Sequence, residues 1–280
     1  MRLRCLAPGK VNLSLYVGAP REDGLHPLVS VVQPVSLADE LTLEPAGARA
    51  TADEVVCPGV EGDNLAGAAL AAFRAATGWD APPQRLTIAK RVPVAAGMGG
   101  GSGDAAAALR LAAHAAGGAG HDLLLRLAAA LGGDVPSQIA PGRTLMTGAG
   151  EHVRPLGDAG STALVILPSP HGLSTPAVYR EFDALGVRRS AAELAELEAL
   201  GADLPPHNDL QDAARSLCPP IDEALAAVAA TGAGHVLVSG SGPTVFGLYD
   251  DRERALAAAE AVGGIAADPV DAAYGAVVEA

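Results

Sequence analysis

Lysine and cysteine are both scarce in this chain. Its 19 basic residues include only two lysines, Lys10 and Lys90, and its three cysteines are Cys5, Cys57 and Cys218. The cysteines form no CxxC pair, and their odd number gives no complete disulfide framework. Neither a disulfide-stapled fold nor a structural zinc site is therefore predicted.

Long apolar runs and an excess of basic charge are also missing. No run of about 18 apolar residues is free of charges and turn residues, so a membrane-spanning helix is not predicted. Residues 1–13 lack the apolar core of a secretory signal, which makes the cytoplasm the expected location. The formal net charge is −13, so neither nucleic acid nor an anionic membrane is an expected partner.

The composition is that of a folded protein with a sizeable core. Hydrophobic residues make up 49% of the 280 residues and charged residues 18%, which argues against disorder. The length suits two domains. Predicted strands and helices alternate, and the first strands are clustered, so we expect an α+β chain with a boundary near residue 158, dividing it into 1–158 and 159–280.

Apolar periodicity and turn residues predict the individual elements. Predicted strands cover 2–7, 10–17, two runs within 28–44, 85–94, 162–168, two runs within 235–250, and a final run near 272–279. Predicted helices cover 64–77, the segment after residue 104, 121–131, 176–185, 190–200, 208–217, 220–231 and the segment after residue 250.

A glycine-rich segment, PVAAGMGGGSGD at 93–104, lies between a predicted strand and a predicted helix. Glycines let backbone N–H groups point at one centre, and the helix start adds free N–H groups and a positive dipole end. Because the segment matches neither GxxxxGK[ST] nor GxGxxG, a Walker A loop and a Rossmann site are disfavoured. A tight strand-to-helix turn is the alternative to phosphate binding. The predicted phosphate-binding residues are Pro93, Val94, Ala95, Ala96, Gly97, Met98, Gly99, Gly100, Gly101, Ser102 and Gly103, with Ser102 also a candidate contact for Mg²⁺.

Six further segments form a pattern with this loop. They are PGKVNLSL at 8–15, REDGLH at 21–26, LGGDVP at 131–136, STPAVY at 174–179, HNDL at 207–210 and VSGSGPTVF at 238–246. Together they resemble the motifs of the GHMP kinases, a family that includes galactokinase, homoserine kinase and mevalonate kinase. REDGLH close behind PGKVNL resembles the branch that phosphorylates 4-diphosphocytidyl-2-C-methyl-D-erythritol. The resemblance covers nearly the whole chain.

The resemblance implies a fold and a reaction. The fold would be a GHMP kinase fold with an N-terminal domain like ribosomal protein S5 domain 2 and a ferredoxin-like C-terminal domain, with the active site between them. The reaction would transfer the γ-phosphate of Mg-ATP to the 2-hydroxyl of a small cytidyl substrate, in non-mevalonate isoprenoid precursor biosynthesis. A monomer or weak homodimer is expected.

The resemblance also assigns roles. Asp134 would be the catalytic aspartate and Lys10 its partner, whereas the residues alone also allow a helix cap for Asp134 and a surface position for Lys10. The substrate-side residues would be Asn12, His26, Thr175 and Tyr179, with Asn64 and Lys90 near the adenosine and Gly240 and Gly242 in a turn over the catalytic centre. Read without the family, His26 is a solvated loop residue, Tyr179 a core residue, Asn64 a cap, and the two glycines a hairpin turn.

The chain departs from the family pattern at a few positions. Leu25 stands where the family has an aromatic residue that stacks on cytosine, and Gly103 stands where it has a second serine. Ser137 and Gln138 replace common aromatics. Two other hypotheses therefore stay open: another GHMP kinase of homoserine or mevalonate type, and a nucleotide-binding sensor without catalysis.

Overall fold

The computed structural model describes residues 1–157 and 162–280, so the domain boundary predicted at 158/159 lies outside the described residues. The strands are β1 (Leu3–Val17), β2 (Leu28–Pro45), β3 (Glu54–Val56), β4 (Gln84–Ala89), β5 (Thr144–Gly148), β6 (His152–Pro155), β7 (Ala163–Leu167), β8 (His207–Asn208), β9 (His235–Val238), β10 (Val245–Tyr249), β11 (Ile265–Ala267) and β12 (Val278–Glu279). The helices are α1 (Leu65–Thr77), α2 (Gly100–Ala115), α3 (His121–Leu131), α4 (Thr175–Leu185), α5 (Ala191–Leu200), α6 (Gln211–Leu217), α7 (Pro220–Ala230) and α8 (Arg252–Val262).

A large sheet organises the N-terminal half, in the order β12-β1-β2-β4-β3, with β5 and β6 continuing from β2 and β8 beside β1. Strands β1 and β2 pair antiparallel along most of their length. The register shifts between Pro8 and Lys10 and again between Asn12 and Ser14. The two strands predicted for 2–17 are therefore one strand with irregular pairing, and such irregularities re-aim side chains locally.

Helices α1, α2 and α3 cover one face of this sheet. Alternate residues of the strands point toward them, as in Leu3, Cys5 and Ala7 of β1, and all three are buried. On the helix side, a run of four buried alanines, residues 105–108 of α2, lets the helix backbone lie close to the strands. Burial of this apolar face stabilises the layer.

The C-terminal half contains a separate antiparallel sheet in the order β11-β7-β10-β9. Its elements follow the chain order β7, α7, β9, β10, α8, β11, which is the β-α-β-β-α-β pattern of ferredoxin-like domains. Helices α4, α5 and α6 are inserted between β7 and α7. The predicted α+β class and ferredoxin-like C-terminal unit are confirmed.

Several predicted boundaries are wrong. The strand predicted for 85–94 ends at Ala89, because the Asp39 carboxylate accepts the N–H groups of Arg91 (2.5 Å) and Val92 (2.8 Å). The final strand covers only Val278–Glu279 after a 3₁₀ turn at Ala272–Gly275, and the helix predicted for 208–217 begins at Gln211. Strands β3, β5, β6, β8 and β11 were not predicted.

The helices are short. The longest within the described part of the chain, α2, has 16 residues. Among the helices at 1–157 and 162–280, none has the length and apolarity needed to cross a bilayer.

Candidate active site

The glycine-rich loop runs from the end of β4 to the first turn of α2. Gly99 precedes the helix with φ +65°, and no side chain caps the helix start, so N–H groups of its first turn stay available to an anion. Gly97 has φ +74°, and a Cβ there would lie 2.2 Å from the Ser239 carbonyl oxygen. The loop therefore needs glycine where it passes against the C-terminal half.

A cavity of about 430 Å³ opens beside this loop. Most of the predicted site residues line it: Lys10, Asn12, Asn64, Lys90, residues 93–97 and 99–102, Asp134, Thr175, Tyr179 and Gly240. Met98 instead packs in the core, and Gly103 is buried with its Cβ position 3.1 Å from the Pro8 carbonyl oxygen. Gly242 is buried, and His26 lines a neighbouring cavity.

Lys10 and Asp134 meet inside this cavity. The Lys10 Nζ lies 3.3 Å from Asp134 Oδ2, and the lysine side chain is only 4% exposed against 35% for the aspartate, so Lys10 is not a surface lysine. The 3₁₀ turn at Pro136–Gln138 has no side-chain cap. The helix-cap alternative for Asp134 is therefore wrong, and its carboxylate faces Lys10.

A chain of hydrogen bonds orients the Lys10 ammonium. Its Nζ donates to Asn12 Oδ1 at 2.7 Å and to the Gly97 carbonyl at 3.3 Å. The Asn12 amide donates in turn to Ser30 Oγ at 2.8 Å. A buried ammonium needs such partners because burial without them is costly. Asn12 therefore orients the Lys10 ammonium through this hydrogen bond and also lines the cavity.

The turn at 239–242 closes over this lysine. Gly240 has φ +54°, and a Cβ there would lie 3.3 Å from Lys10 Nζ. The Asn208 amide holds the turn by donating to the carbonyls of Val238 and Gly240, both at 2.8 Å. Ser241 also lines the cavity, where its hydroxyl lies 2.9 Å from Thr175 Oγ1. No role was predicted for Asn208 or Ser241, although Asn208 lies in the HNDL motif and Ser241 in the VSGSGPTVF motif.

Lys90 belongs to a buried cluster of three charges. Its Nζ lies 2.5 Å from Asp39 Oδ2 and 2.8 Å from Asp104 Oδ2. Burial lowers the pKa of Lys90, but the two carboxylates raise it more, so the net shift is upward. Burial raises the pKa of Asp104 to about 7 against the opposing effect of Lys90. The Lys90 ammonium is therefore shared by two buried carboxylates.

Asn64 is a helix cap and also a cavity residue. Its side-chain oxygen accepts a hydrogen bond from the Ala66 N–H at 2.9 Å and so caps α1. The same residue lines the cavity beside Cys57 and Lys90. The cap fixes Asn64 at the edge of the space that the family resemblance assigns to adenosine.

A second cavity, of about 440 Å³, adjoins the first and shares Leu28, Thr175 and Tyr179 with it. His26 and Leu25 lie here, and Leu25 is 53% exposed. The His26 side chain is 7% exposed, so the solvated-loop alternative is wrong. Its ring centroid lies 4.9 Å from that of Tyr179. Burial, followed by the charge of Asp134, raises the pKa of Tyr179, which keeps the phenol neutral.

The donors around the glycine-rich loop fit a magnesium ion held mainly by phosphates. Within residues 1–157 and 162–280, no group of three histidine, cysteine or acidic side chains is arranged to hold a metal. The Ser102 hydroxyl and the Asp134 carboxylate line the same cavity. Mg²⁺ commonly takes one or two such protein oxygens and completes its shell with phosphates and water.

Two family models match this chain. One, "GHMP kinases N terminal domain", covers residues 64–142, and the other, "GHMP kinases C terminal", covers residues 182–266. The chain belongs to the GHMP kinase family. It is an ATP-dependent small-molecule kinase.

Two curated relatives of this GHMP kinase carry the same name. A 4-diphosphocytidyl-2-C-methyl-D-erythritol kinase of Streptomyces coelicolor is 44% identical over 271 residues, covering 91% of this chain and 90% of the relative. A kinase of the same name from Nocardioides sp. is 42% identical, covering 90% of this chain and 91% of the relative.

Two solved structures share the fold of this chain but differ in their sequence identity to it. A crystal structure of 4-(cytidine 5'-diphospho)-2C-methyl-D-erythritol kinase matches with a TM-score of 0.75 and 34% identity, covering 98% of this GHMP kinase and 97% of that chain. A homoserine kinase from Cytophaga hutchinsonii also matches with a TM-score of 0.75, at 17% identity, over 99% and 97% of the two chains. The second likeness shows the fold alone.

Proposed function

We propose that this kinase transfers the γ-phosphate of ATP to the 2-hydroxyl of 4-diphosphocytidyl-2-C-methyl-D-erythritol, in isoprenoid precursor biosynthesis. The observation that carries the proposal is that the two cavities are neighbours, with Leu28, Thr175 and Tyr179 lining both. The glycine-rich loop lies beside one cavity and His26 beside the other. The contact between Lys10 and Asp134 lies in the first. This arrangement suits an acceptor that is itself a cytidine nucleotide.

The proposed chemistry assigns Asp134 to the acceptor hydroxyl. Its carboxylate would orient the hydroxyl and take its proton as the new P–O bond forms, while the bond between the γ-phosphorus and the bridging oxygen breaks and ADP leaves. Phosphoryl transfer passes through a loose transition state, so positioning and electrostatic stabilisation supply most of the catalysis. Lys10 would hold the carboxylate in place through the 3.3 Å contact and add positive charge where negative charge develops.

The ATP phosphates would be bound by the loop residues 93–97 and 99–102, with N–H groups at the start of α2 as the main donors. Asn64 and Lys90 would lie near the adenosine. Mg²⁺ would be held by the phosphates together with the Ser102 hydroxyl, and it would neutralise phosphate charge when bound. This mode of binding does not need a basic surface, which agrees with the net charge of −13.

The test combines a substrate panel with Asp134→Asn. The purified enzyme is assayed by coupled ADP detection with the cytidyl substrate, homoserine and mevalonate. We expect turnover on the cytidyl substrate and a fall in kcat of about 10²-fold or more in Asp134→Asn, the range for a lost general base. KM should change less, because the substituted side chain is of the same size.

Asp250→Asn serves as the matched control. It makes the same chemical change at a side chain that is 98% exposed, so its kcat should equal that of the wild type. Turnover only with homoserine or mevalonate would replace the proposal with the second kinase hypothesis. ATP binding with no ADP formed on any acceptor would instead support the sensor. Near-normal kcat in Asp134→Asn would remove Asp134 from the chemistry.

A further inference from the structure

His26 is held by a carboxylate from a distant part of the chain. Its Nε2 lies 3.1 Å from Asp183 Oδ1, across a separation of 157 residues. The histidine side chain is 7% exposed and the aspartate side chain 33% exposed. Asp183 lies on α4, one residue after Phe182, which is itself fully buried. The contact therefore joins the loop before β2 to a packed helix.

This contact determines which ring nitrogen carries the proton. An ionised carboxylate can only accept hydrogen bonds, so His26 Nε2 must donate to Asp183. In the neutral imidazole the other nitrogen, Nδ1, is then an acceptor. Within residues 1–157 and 162–280, His26 Nδ1 has no hydrogen-bond partner. The protein thus supplies a hydrogen-bond acceptor without using it itself.

Neighbouring rings limit the movement of the imidazole. The Tyr179 ring lies 4.9 Å away between centroids at 41°, and the Phe182 ring lies 6.2 Å away at 69°. Both aromatics are on the same helix as Asp183. Packing and the hydrogen bond therefore act together on one orientation, which is how a supporting residue makes a binding group specific.

We propose that Asp183 is a positioning residue that fixes the tautomer of His26, so that this cavity selects a base bearing an exocyclic amine over one bearing a carbonyl. The inference rests on the proposed function, in which a cytidine nucleotide occupies the cavity. An amine can donate to Nδ1, whereas the carbonyl of uracil at the same ring position would leave two acceptors facing each other. Leu25 has no polar side-chain group, and Arg180, the other charged side chain lining the cavity besides Asp183, is only a donor.

The test compares two substrates that differ only in the base, the cytidyl substrate and its uridyl analogue. We expect the wild type to prefer the cytidyl substrate in kcat/KM. In Asp183→Asn, which keeps the shape but can donate as well as accept, this preference should fall about tenfold, the scale of one hydrogen bond. The lost preference should appear in KM rather than in kcat. Asp183→Glu, which keeps the carboxylate, should show a stronger preference than Asp183→Asn.

Nitrogen-15 NMR of the labelled histidines reads the tautomer directly, with the His26 signal assigned by its loss in His26→Gln. We expect a proton on Nε2 in the wild type and in the exposed control Asp250→Asn, and a mixed tautomer in Asp183→Asn. A proton on Nδ1 in the wild type would overturn the proposal. So would an unchanged substrate preference in Asp183→Asn.

Failure of the proposed function is separable from failure of this inference. If the wild type phosphorylates neither substrate, the proposed function falls, and binding of CDP and UDP measured by calorimetry then decides the inference. A preference for CDP that Asp183→Asn loses would support Asp183 as a positioning residue. Equal binding of both nucleotides by the wild type would overturn it.

Discussion

Replacing Lys90 by methionine should destabilise the fold in a pH-dependent way. Methionine has nearly the length of lysine but no charge, so Lys90→Met removes the ammonium and keeps most of the packing. The side chains of Asp39 and Asp104 are 0% and 5% exposed. Both carboxylates would lose the cation that they share.

The stability lost in Lys90→Met depends on the hydrogen-bond donors that remain to each carboxylate. Removing one partner of a buried ion pair costs about 3–5 kcal/mol. Asp39 keeps two backbone N–H donors, from Arg91 and Val92, whereas Asp104 Oδ1 has no partner among the described residues. Because burial already raises the pKa of Asp104 to about 7, it can take a proton at modest cost. We therefore expect the free energy of unfolding to fall by about 3 kcal/mol at neutral pH, against a total stability of about 5–15 kcal/mol for a typical protein.

The pH dependence has a defined sign. The folded-state pKa of Asp104 is raised, so its contribution to stability is present below the ordinary carboxyl value of 3.8 and is lost as pH rises through about 7. Without the Lys90 ammonium that pKa rises further, and the loss continues to higher pH. The difference between wild type and variant should therefore grow from about pH 6 to about pH 9, by at most about 1.4 kcal/mol per pH unit.

Urea unfolding of both proteins at the two pH values measures this difference. The double variant Lys90→Met/Asp104→Asn removes the ammonium and one charge together, so it should recover a substantial part of the stability lost by Lys90→Met. A Lys90→Met protein within about 1 kcal/mol of the wild type at both pH values, below the cost of breaking a buried pair, would refute the reasoning. A large loss that is equal at the two pH values would show that Asp104 is not the titrating group.

Two further predictions concern the two ends of the site. Gly100→Val should abolish ATP binding measured by calorimetry while the protein stays folded, because a Cβ at Gly100 would lie 3.1 Å from Val92 Cγ1 and 3.2 Å from Lys90 Nζ. The control is Gly120→Ala, where an added Cβ meets no atom within 4 Å. Unchanged ATP affinity in Gly100→Val would contradict phosphate binding by the loop. Leu25→Tyr should lower KM for the cytidyl substrate by no more than about tenfold and leave KM for ATP unchanged, because it adds a stacking face worth about 0.5–1.5 kcal/mol; an equal change in both values would show that Leu25 does not contact the base.

Much of the nucleotide end of the site could be predicted because its physics is local. A strand, a run of glycines and an alanine-rich helix follow one another within residues 85–115, and backbone freedom and helix propensity act over that distance. Asn64 caps α1 through a bond to Ala66, only two residues away. Family motifs supplied the remaining candidates, and most of them line one cavity.

The strand errors have a common physical cause. Whether the PGK segment at 8–10 divides β1 into two strands depends on the pairing with β2. The register between the two strands shifts at this segment, so β1 continues through it. The short strands β3 and β8 are strands only because β4 and β1 offer them hydrogen bonds. Strand formation depends on partners elsewhere in the chain, and apolar alternation within one segment does not reveal them.

The contacts that give the site its chemistry were decided by tertiary structure. Lys10 could be singled out from its motif, but its burial and its contact with Asp134 arise when β1, the glycine-rich loop and the turn at 239–242 pack together. The pairing of His26 with Asp183 spans 157 residues. A side chain's hydrogen-bond partners and exposure depend on every element packed around it, whereas a sequence motif specifies only the residue and its immediate backbone.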